Sequence, residues 1–501
     1  MTLFKRLMAV MFALTLTLGM GTRVYAEGET TTDTYTITMK STTGHTYAAY
    51  QVFKGDLNEG TLSNITWGNG VDGTALLTAL KADATYGDAF KDCNNASDVA
   101  KVFEGFADKG NDIAAIAKII GANKTNVAGK GTTAIANLAA GYYLIVDETV
   151  AESMPDGNTY SDFMLEVVKN TEVTAKDTTT TSNKKVKDIN DSVANSLTEW
   201  QDSADYDVND DVPFKLTGTV ASDYDKYSTY YFAFHDVESA GLTFKSGTVK
   251  VYVDGTEISE GYVVKTEGLE DNCTFEVVFD DLKAVESVHA GSVITVEYQS
   301  TLNENAVMGS AGNPNTSHIE FSNNPNGTQH GKTPDDTVIV FTYKVVVNKV
   351  DENKQPLKGA GFTLYKKNSE GTYVPVGEEL KGDEMTTFTW NRLDDGDYKL
   401  SETTTPPSYN TIEDIEFTIT AEHDIESDSP SLKSLSGNVT SGEATFASSD
   451  GNDSLTTTVV NQQGSTLPST GGIGTTIFYV LGGLLVAGAG IVLVARKKAS
   501  E

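Results

Sequence analysis

The chain is 501 residues long, with 37 basic against 70 acidic side chains and a formal net charge of −33. A balance that acidic excludes nucleic acid and anionic lipid as partners and suits a solvated extracellular surface. Cys93 and Cys273, the 2 cysteines, fall in different predicted domains, and the 6 histidines have no metal-ligand spacing, so no disulfide framework, metal or other cofactor is expected.

In chain order, Lys5 and Arg6 precede an apolar stretch from Leu7 to Met20, and Val24-Tyr25-Ala26 offers a small-residue cleavage site, so residues 1–26 read as a secretory signal peptide. Residues 27–176 mix strand-like stretches (Tyr35 to Met39, Tyr142 to Val146, Phe163 to Val168) with helical periodicity at Ala75 to Ala82, Val99 to Ala107 and Asn111 to Ile120. The polar run 177–183 reads as a linker. Short strands broken by Gly, Asn and Asp turns fill residues 184–340 and again 341–462. The expected fold is mainly β, with tandem immunoglobulin-like β-sandwiches and helices added to the first domain. Residues 463–472 form a stalk ending in LPSTGG, residues 473–495 a transmembrane helix of about 20 apolar residues, and residues 496–501 a cytoplasmic basic tail.

Alternate residues of a strand face one side of a sheet, and that phase turns several polar groups inward. Lys349 shares a face with Phe341, Tyr343, Val345 and Val347; Asn461 with Leu455 and Val459; Glu402 with Tyr398 and Leu400. In the preceding domain, Asp236 follows Tyr230, Phe232 and Phe234, Asn323 follows Ile319 and Phe321, and Lys184 is in phase with Val186. Lys185 and Asn324 stand beside these choices and remain open. Isolated buried polar groups are costly, so the members of each set are expected to meet. Burial favours the neutral forms of Lys and Glu. A neutral amine is a nucleophile, and a protonated carboxyl can polarise an amide and move its protons. The expected reaction is attack of Lys349 Nζ on the Asn461 side-chain carbonyl, with loss of ammonia and formation of an isopeptide bond. A buried Lys349–Glu402 ion pair is the alternative that needs no chemistry. In the first domain Glu148 is in phase with Tyr142, Leu144 and Val146, but Lys40 lies on the face of Thr36 and Thr38. A set of Lys40, Glu148 and either Asn170 or Asp177 therefore competes with a bond-free domain.

LPSTGG, the apolar run to Ala495 and the cations Arg496, Lys497 and Lys498 together resemble the cell-wall sorting signal of Gram-positive surface proteins. That resemblance implies a sortase that recognises Leu467, Pro468, Ser469, Thr470 and Gly471, attacks the carbonyl of Thr470 and releases everything from Gly471 onward. VNKVDENKQPLKGAGFTLY, DYKLSETTTPPSY and VVNQQGSTLPSTGG resemble the collagen-adhesin B-type domain of Gram-positive pilins, which implies a Lys349–Asn461 bond with Glu402 catalytic. KKVKDIND, DDVPFKLTGTV, FAFHDVESAGLTF and FSNNPNG resemble the A-type domain, which implies Lys184 and Asn323 joined with the help of Asp236. Lys176, in EVTAKDTTTTSN, occupies the place of the pilin-motif lysine, although the usual proline is missing; Lys184, Lys185 and Lys187 compete for the role. The whole resembles a sortase-assembled backbone pilin. Its implied partners are further copies of itself joined from Thr470 to Lys176, accessory tip and base pilins, peptidoglycan and host surface ligands. The second reading is a monomeric wall-anchored adhesin. A wall-bound enzyme is not expected, because no Ser/His/Asp, Cys/His or metal constellation accompanies these motifs.

Overall fold

The computed structural model describes residues 33–40, 44–106, 111–174, 178–269, 271–464 and 473–499. The signal-peptide segment, Lys176 with Asp177, and Leu467 to Gly472 lie outside the described residues. The chain divides into two compact units, Met1–Ser153 with Ser161–Lys176, and Met154–Tyr160 with Asp177–Glu501. The fold is mainly β.

The first unit is built around strands buried on both faces. Tyr47–Asn58 and Gly141–Asp147 pair antiparallel, and their near-continuous apolar runs reflect that double burial. One face, through Tyr47, Ala49, Tyr143 and Ile145, packs on a three-stranded sheet that contributes Ile37, Ile135 and Leu138. The other, through Ala48, Tyr50, Leu144 and Val146, packs on Leu76, Leu80, Phe90, Val99, Ile116 and Ile120 of the helices. The helix Gly73–Ala82 starts at Asp72, whose carboxylate accepts from the backbone N–H of Thr74 (3.1 Å) and Ala75 (3.0 Å), satisfying two of the unpaired donors of the first turn.

The second unit contains two β-sandwiches. In the first, a seven-stranded sheet that includes Phe232–Glu238, Asn313–Ser322 and Asp336–Phe341 faces a six-stranded sheet that includes Thr181–Val186, Asp211–Thr219 and Val293–Leu302. Their inner residues, among them Phe214, Phe232, Phe234, Val296, Ile319 and Val340, form one core. The polar run expected as a linker enters a strand at Thr181, which pairs with Thr219. Its Thr, Ser and Asn residues are tolerated because this strand lies at the sheet edge.

In the second sandwich, Tyr343–Asp351 and Ser454–Asn461, the first and last long strands, lie side by side and parallel, with Lys349 opposite Val459 and Asp351 opposite Asn461. The facing sheet carries Gly361–Lys367, Gly396–Thr404 and Ile415–His423. Phe362, Leu364, Tyr398, Leu400 and Phe417 meet Val345, Val347, Leu455 and Val459 between the sheets. The apolar helix Ile473–Lys498 has the length and composition to cross a membrane and ends in Arg496, Lys497 and Lys498.

Candidate functional site

In the last sandwich, Lys349, Glu402 and Asn461 are all buried, with exposures of 1%, 6% and 0%. The parallel pairing brings Lys349 beside the end of Ser454–Asn461, and its Nζ donates to the carbonyls of Val350 (3.0 Å) and Val459 (3.3 Å). Burial pushes the amine down to about 8, against the pull of Glu402 and Asp351, so about a tenth of it is neutral at pH 7, far more than for an exposed lysine. Asn461 Nδ2 donates to both Glu402 oxygens, at 2.8 and 3.0 Å, and its Oδ1 is buried without a hydrogen-bond partner. Glu402 also accepts from Ile412 N at 3.1 Å, which holds the carboxyl in place. The result is an amine in reach of its neutral form, an amide gripped by a carboxyl, and an amide oxygen with nothing opposing it. These are the parts needed for amide exchange.

The preceding sandwich holds a second set. Lys184 and Asp236 are fully buried, and Lys184 Nζ donates to Asp236 Oδ2 and to Tyr298 Oη (2.9 Å). Lys185 instead reaches Asp202 and is partly exposed, so the strand phase selects Lys184. Burial drives the Lys184 amine down despite Asp236, and drives the Asp236 carboxyl up despite Lys184, which favours a neutral pair. Tyr298 Oη donates to Asp236 Oδ2 at 2.8 Å; burial and then the Asp236 charge hold this phenol well above its ordinary range, so it remains a donor.

The asparagine in this cluster is Asn315, and Asn323 is elsewhere. Asn315 is fully buried, donates to Tyr298 Oη at 2.9 Å and leaves its Oδ1 without a partner. It lies opposite Glu238, while Asp236 lies opposite Ser317. Asn323 follows the end of the same strand, six positions past Ser317, which at ~3.4 Å per residue is roughly 20 Å away. Its backbone N–H bonds Gln329 O and its carbonyl accepts from Tyr160 N at 2.7 Å. Asn315 was legible in principle, because the inward phase of Ile319 and Phe321 runs back through Ser317 to Asn315 and Asn313. Glu238 is a second acid beside the pair, pushed up to about 8 by burial and then by the charge of Asp236.

In the first unit no such set forms among the described residues. Lys40 is exposed and pairs with Glu172 at 2.5 Å, and Asn170 Oδ1 accepts from Thr36 N at 2.9 Å. Glu148 accepts from Tyr50 Oη and lies 3.5 and 3.4 Å from Lys124 and Lys130. Burial raises its pKa, but Tyr50 and the two lysines outweigh that and leave the carboxyl below its ordinary value. An ionised, quarter-exposed Glu148 is the reverse of what amide exchange requires. Lys176 and Thr470 lie outside the described residues.

Residues 343–430 match the SpaA prealbumin-like fold domain, and residues 459–501 match the LPXTG cell wall anchor motif. With the apolar helix, this makes the chain a cell wall-anchored surface protein of a Gram-positive bacterium, assembled from β-sandwich modules. More particularly, it is homologous to the trypsin-resistant surface T6 protein of Streptococcus pyogenes serotype M6, at 27% identity over 335 residues, 53% of this chain. The match spans 60% of that relative's length. Among solved structures, the modular three-domain T6 backbone pilin of S. pyogenes shares the fold, with a TM-score of 0.52 at 17% identity, covering 86% of this chain and 98% of the other. The full-length major pilin SpaD of Corynebacterium diphtheriae aligns with a TM-score of 0.48 at 17% identity, over 86% of this chain and 97% of its own.

Proposed function

We propose that this chain is the backbone subunit of a covalent surface pilus, a structural protein whose sandwiches lock themselves with internal isopeptide bonds. The observation that carries the reading is the parallel pairing of the first and last strands of the last sandwich, with Lys349 and Asn461 buried at their shared end a few residues before LPSTGG. In that sandwich the neutral Lys349 amine attacks Asn461 Cγ. Glu402 passes the displaced proton to Nδ2, the Cγ–Nδ2 bond breaks, ammonia leaves, and the Nζ–Cγ amide remains. In the preceding sandwich Lys184 and Asn315 react in the same way, with Asp236 in the place of Glu402 and Tyr298 aligning amine and amide.

The mechanical consequence follows from the topology. Tension entering at Tyr343 crosses to the last strand at Lys349–Asn461 and leaves toward Gln462, so the strands between carry none of it. A Lys184–Asn315 bond instead joins the two sheets of its sandwich. A sortase joins Thr470 of one subunit to a lysine of the next, for which Lys176 is the candidate, and the last subunit is passed to peptidoglycan. Accessory tip and base pilins and host ligands are the further partners of such a shaft.

The test is a denaturing gel of wall extract. Wild type should give a ladder of high-mass species that collapses to monomer in Lys176→Ala. A ladder that persists in the variant removes Lys176 from the joint, and no ladder in wild type favours a monomeric adhesin.

A further inference from the structure

The strand that turns Asp236 into the core of the first sandwich turns its neighbour His235 to the opposite face of the sheet. There strand pairing assembles groups that are scattered in sequence. His235 lies directly opposite Glu276 on Phe275–Phe279 and directly opposite His318 on Asn313–Ser322. Thr274 N bonds the Asp236 carbonyl at 2.6 Å, which brings Cys273, a free and partly exposed thiol, to the same place.

One ring nitrogen collects two of these groups. His235 Nδ1 lies 3.5 Å from Cys273 Sγ and 3.6 Å from Glu276 Oε1, and the three residues each bring a ligand atom within 4.8 Å of the others. At 3.6 Å no proton on Nδ1 makes a hydrogen bond to Glu276. Both lengths instead suit ligands that share an ion. Zinc at about 2.0–2.1 Å from nitrogen, ~2.3 Å from sulfur and about 2.0–2.2 Å from oxygen sets tetrahedral edges of roughly 3.5 Å for N···S and roughly 3.3–3.5 Å for N···O.

The other ring nitrogen supplies an independent observation. His235 Nε2 faces Glu320 Oε2 at 3.4 Å, and Glu320 Oε1 is in turn held by His330 Nδ1 at 2.9 Å. A carboxylate behind the far nitrogen is what orients a metal-ligating imidazole and directs its Nδ1 lone pair outward. His318 stacks on the same ring, with centroids 4.9 Å apart and planes 8° from parallel, and fixes its tilt. His235 is 3% exposed and Glu276 6%, so both are set by the fold, while Cys273 leaves the cluster open to solvent on one side.

We propose that His235 Nδ1, Cys273 Sγ and a Glu276 carboxylate oxygen bind one divalent cation of the zinc class, with water in the fourth position. A mixed nitrogen, sulfur and oxygen set selects such an ion over calcium or magnesium, which take oxygen alone. In the ion's absence the same surroundings hold a proton on the ring. Burial pushes the His235 imidazole down, but Cys273, Glu320 and Glu276 outweigh it and bring it up to about 10. Zinc displaces that proton and the thiol proton to solvent, and its double charge gains more from the same negative field.

The experiment uses the full untagged chain in detergent with a phosphine reductant, stripped with chelator. Zinc chloride is titrated at pH 8 by calorimetry, and cobalt chloride by absorption spectroscopy. Zinc should fill one saturable site, and cobalt should give the visible bands of tetrahedral coordination with a thiolate charge-transfer band in the near ultraviolet. Cys273→Ser, at a partly exposed position, should abolish the charge-transfer band and weaken zinc at least tenfold. Glu320→Gln, which keeps all three ligands, should retain the band and weaken zinc by about 10–100-fold. Both variants should unfold within a few degrees of wild type in chelator, which separates lost ligation from misfolding. No zinc heat in wild type, a cobalt complex without the thiolate band, or unchanged zinc affinity in Cys273→Ser overturns the proposal.

Discussion

Replacing Lys349 by Met separates a bonded sandwich from an unbonded one by the size of the stability change. Methionine is close to lysine in length and removes only the amine, whose partners in the unbonded arrangement are the carbonyls of Val350 and Val459. If no bond forms, the loss of those hydrogen bonds is offset by relief of a buried amine, and the change should stay within about 1 kcal/mol. If the bond forms, the variant loses a tether that closes a loop of roughly 110 residues, which in the chain-entropy treatment contributes about 5 kcal/mol. For a sandwich of this size that corresponds to a fall of roughly 20 °C in its unfolding temperature. The assay is differential scanning calorimetry paired with intact mass, since each bond removes one ammonia, about 17 Da. A wild-type mass with no ammonia missing from this sandwich, or a Lys349→Met variant that unfolds within a few degrees of wild type, would refute the reasoning.

Further expectations concern the other groups. Asn315→Ala should restore one ammonia to the intact mass and lower the stability of its sandwich by about 5 kcal/mol or more, whereas Asn323→Ala should leave the mass deficit in place. Because burial holds the Lys349 amine at about 8, bond formation in freshly refolded protein should accelerate as pH rises from 6 to 8 and level off above it. Time-resolved intact mass measures this, and a rate that falls over that interval contradicts attack by the neutral amine. Lys366 Nζ lies 3.1, 2.5 and 3.1 Å from Asp191, Asp207 and Asp394; Lys366→Met leaves the three carboxylates without their shared cation, and calorimetry at pH 7 should show a loss of about 3–5 kcal/mol. That deficit should shrink as pH falls, because the stranded carboxylates then take up protons.

The set in the last sandwich was legible in the sequence because its members sit in clean alternation: a polar residue at the end of an inward face identifies Lys349, Glu402 and Asn461 without knowledge of how the strands pair, even though Thr457 shares the face of Asn461. The middle set was half legible. Lys184 and Asp236 follow from phase, but choosing between Asn315 and Asn323 on one strand requires the register against Phe232–Glu238, which no local pattern encodes. Tyr298 was hidden for the same reason, since an inward tyrosine reads as ordinary core until its hydroxyl is seen between Lys184, Asp236 and Asn315. The edge strand from Thr181 was masked by its polar composition. The aspartates around Lys366 were illegible, because Asp191, Asp207 and Asp394 lie far apart in sequence and meet only once both sandwiches are folded.

The most direct test of the shaft assignment is tandem mass spectrometry of proteolysed wall-extracted polymer. The account predicts a branched peptide in which the carbonyl of Thr470 is joined to the Nζ of Lys176 from a second copy. Recovery of Thr470 joined only to wall peptide, with Lys176 unmodified, would contradict it.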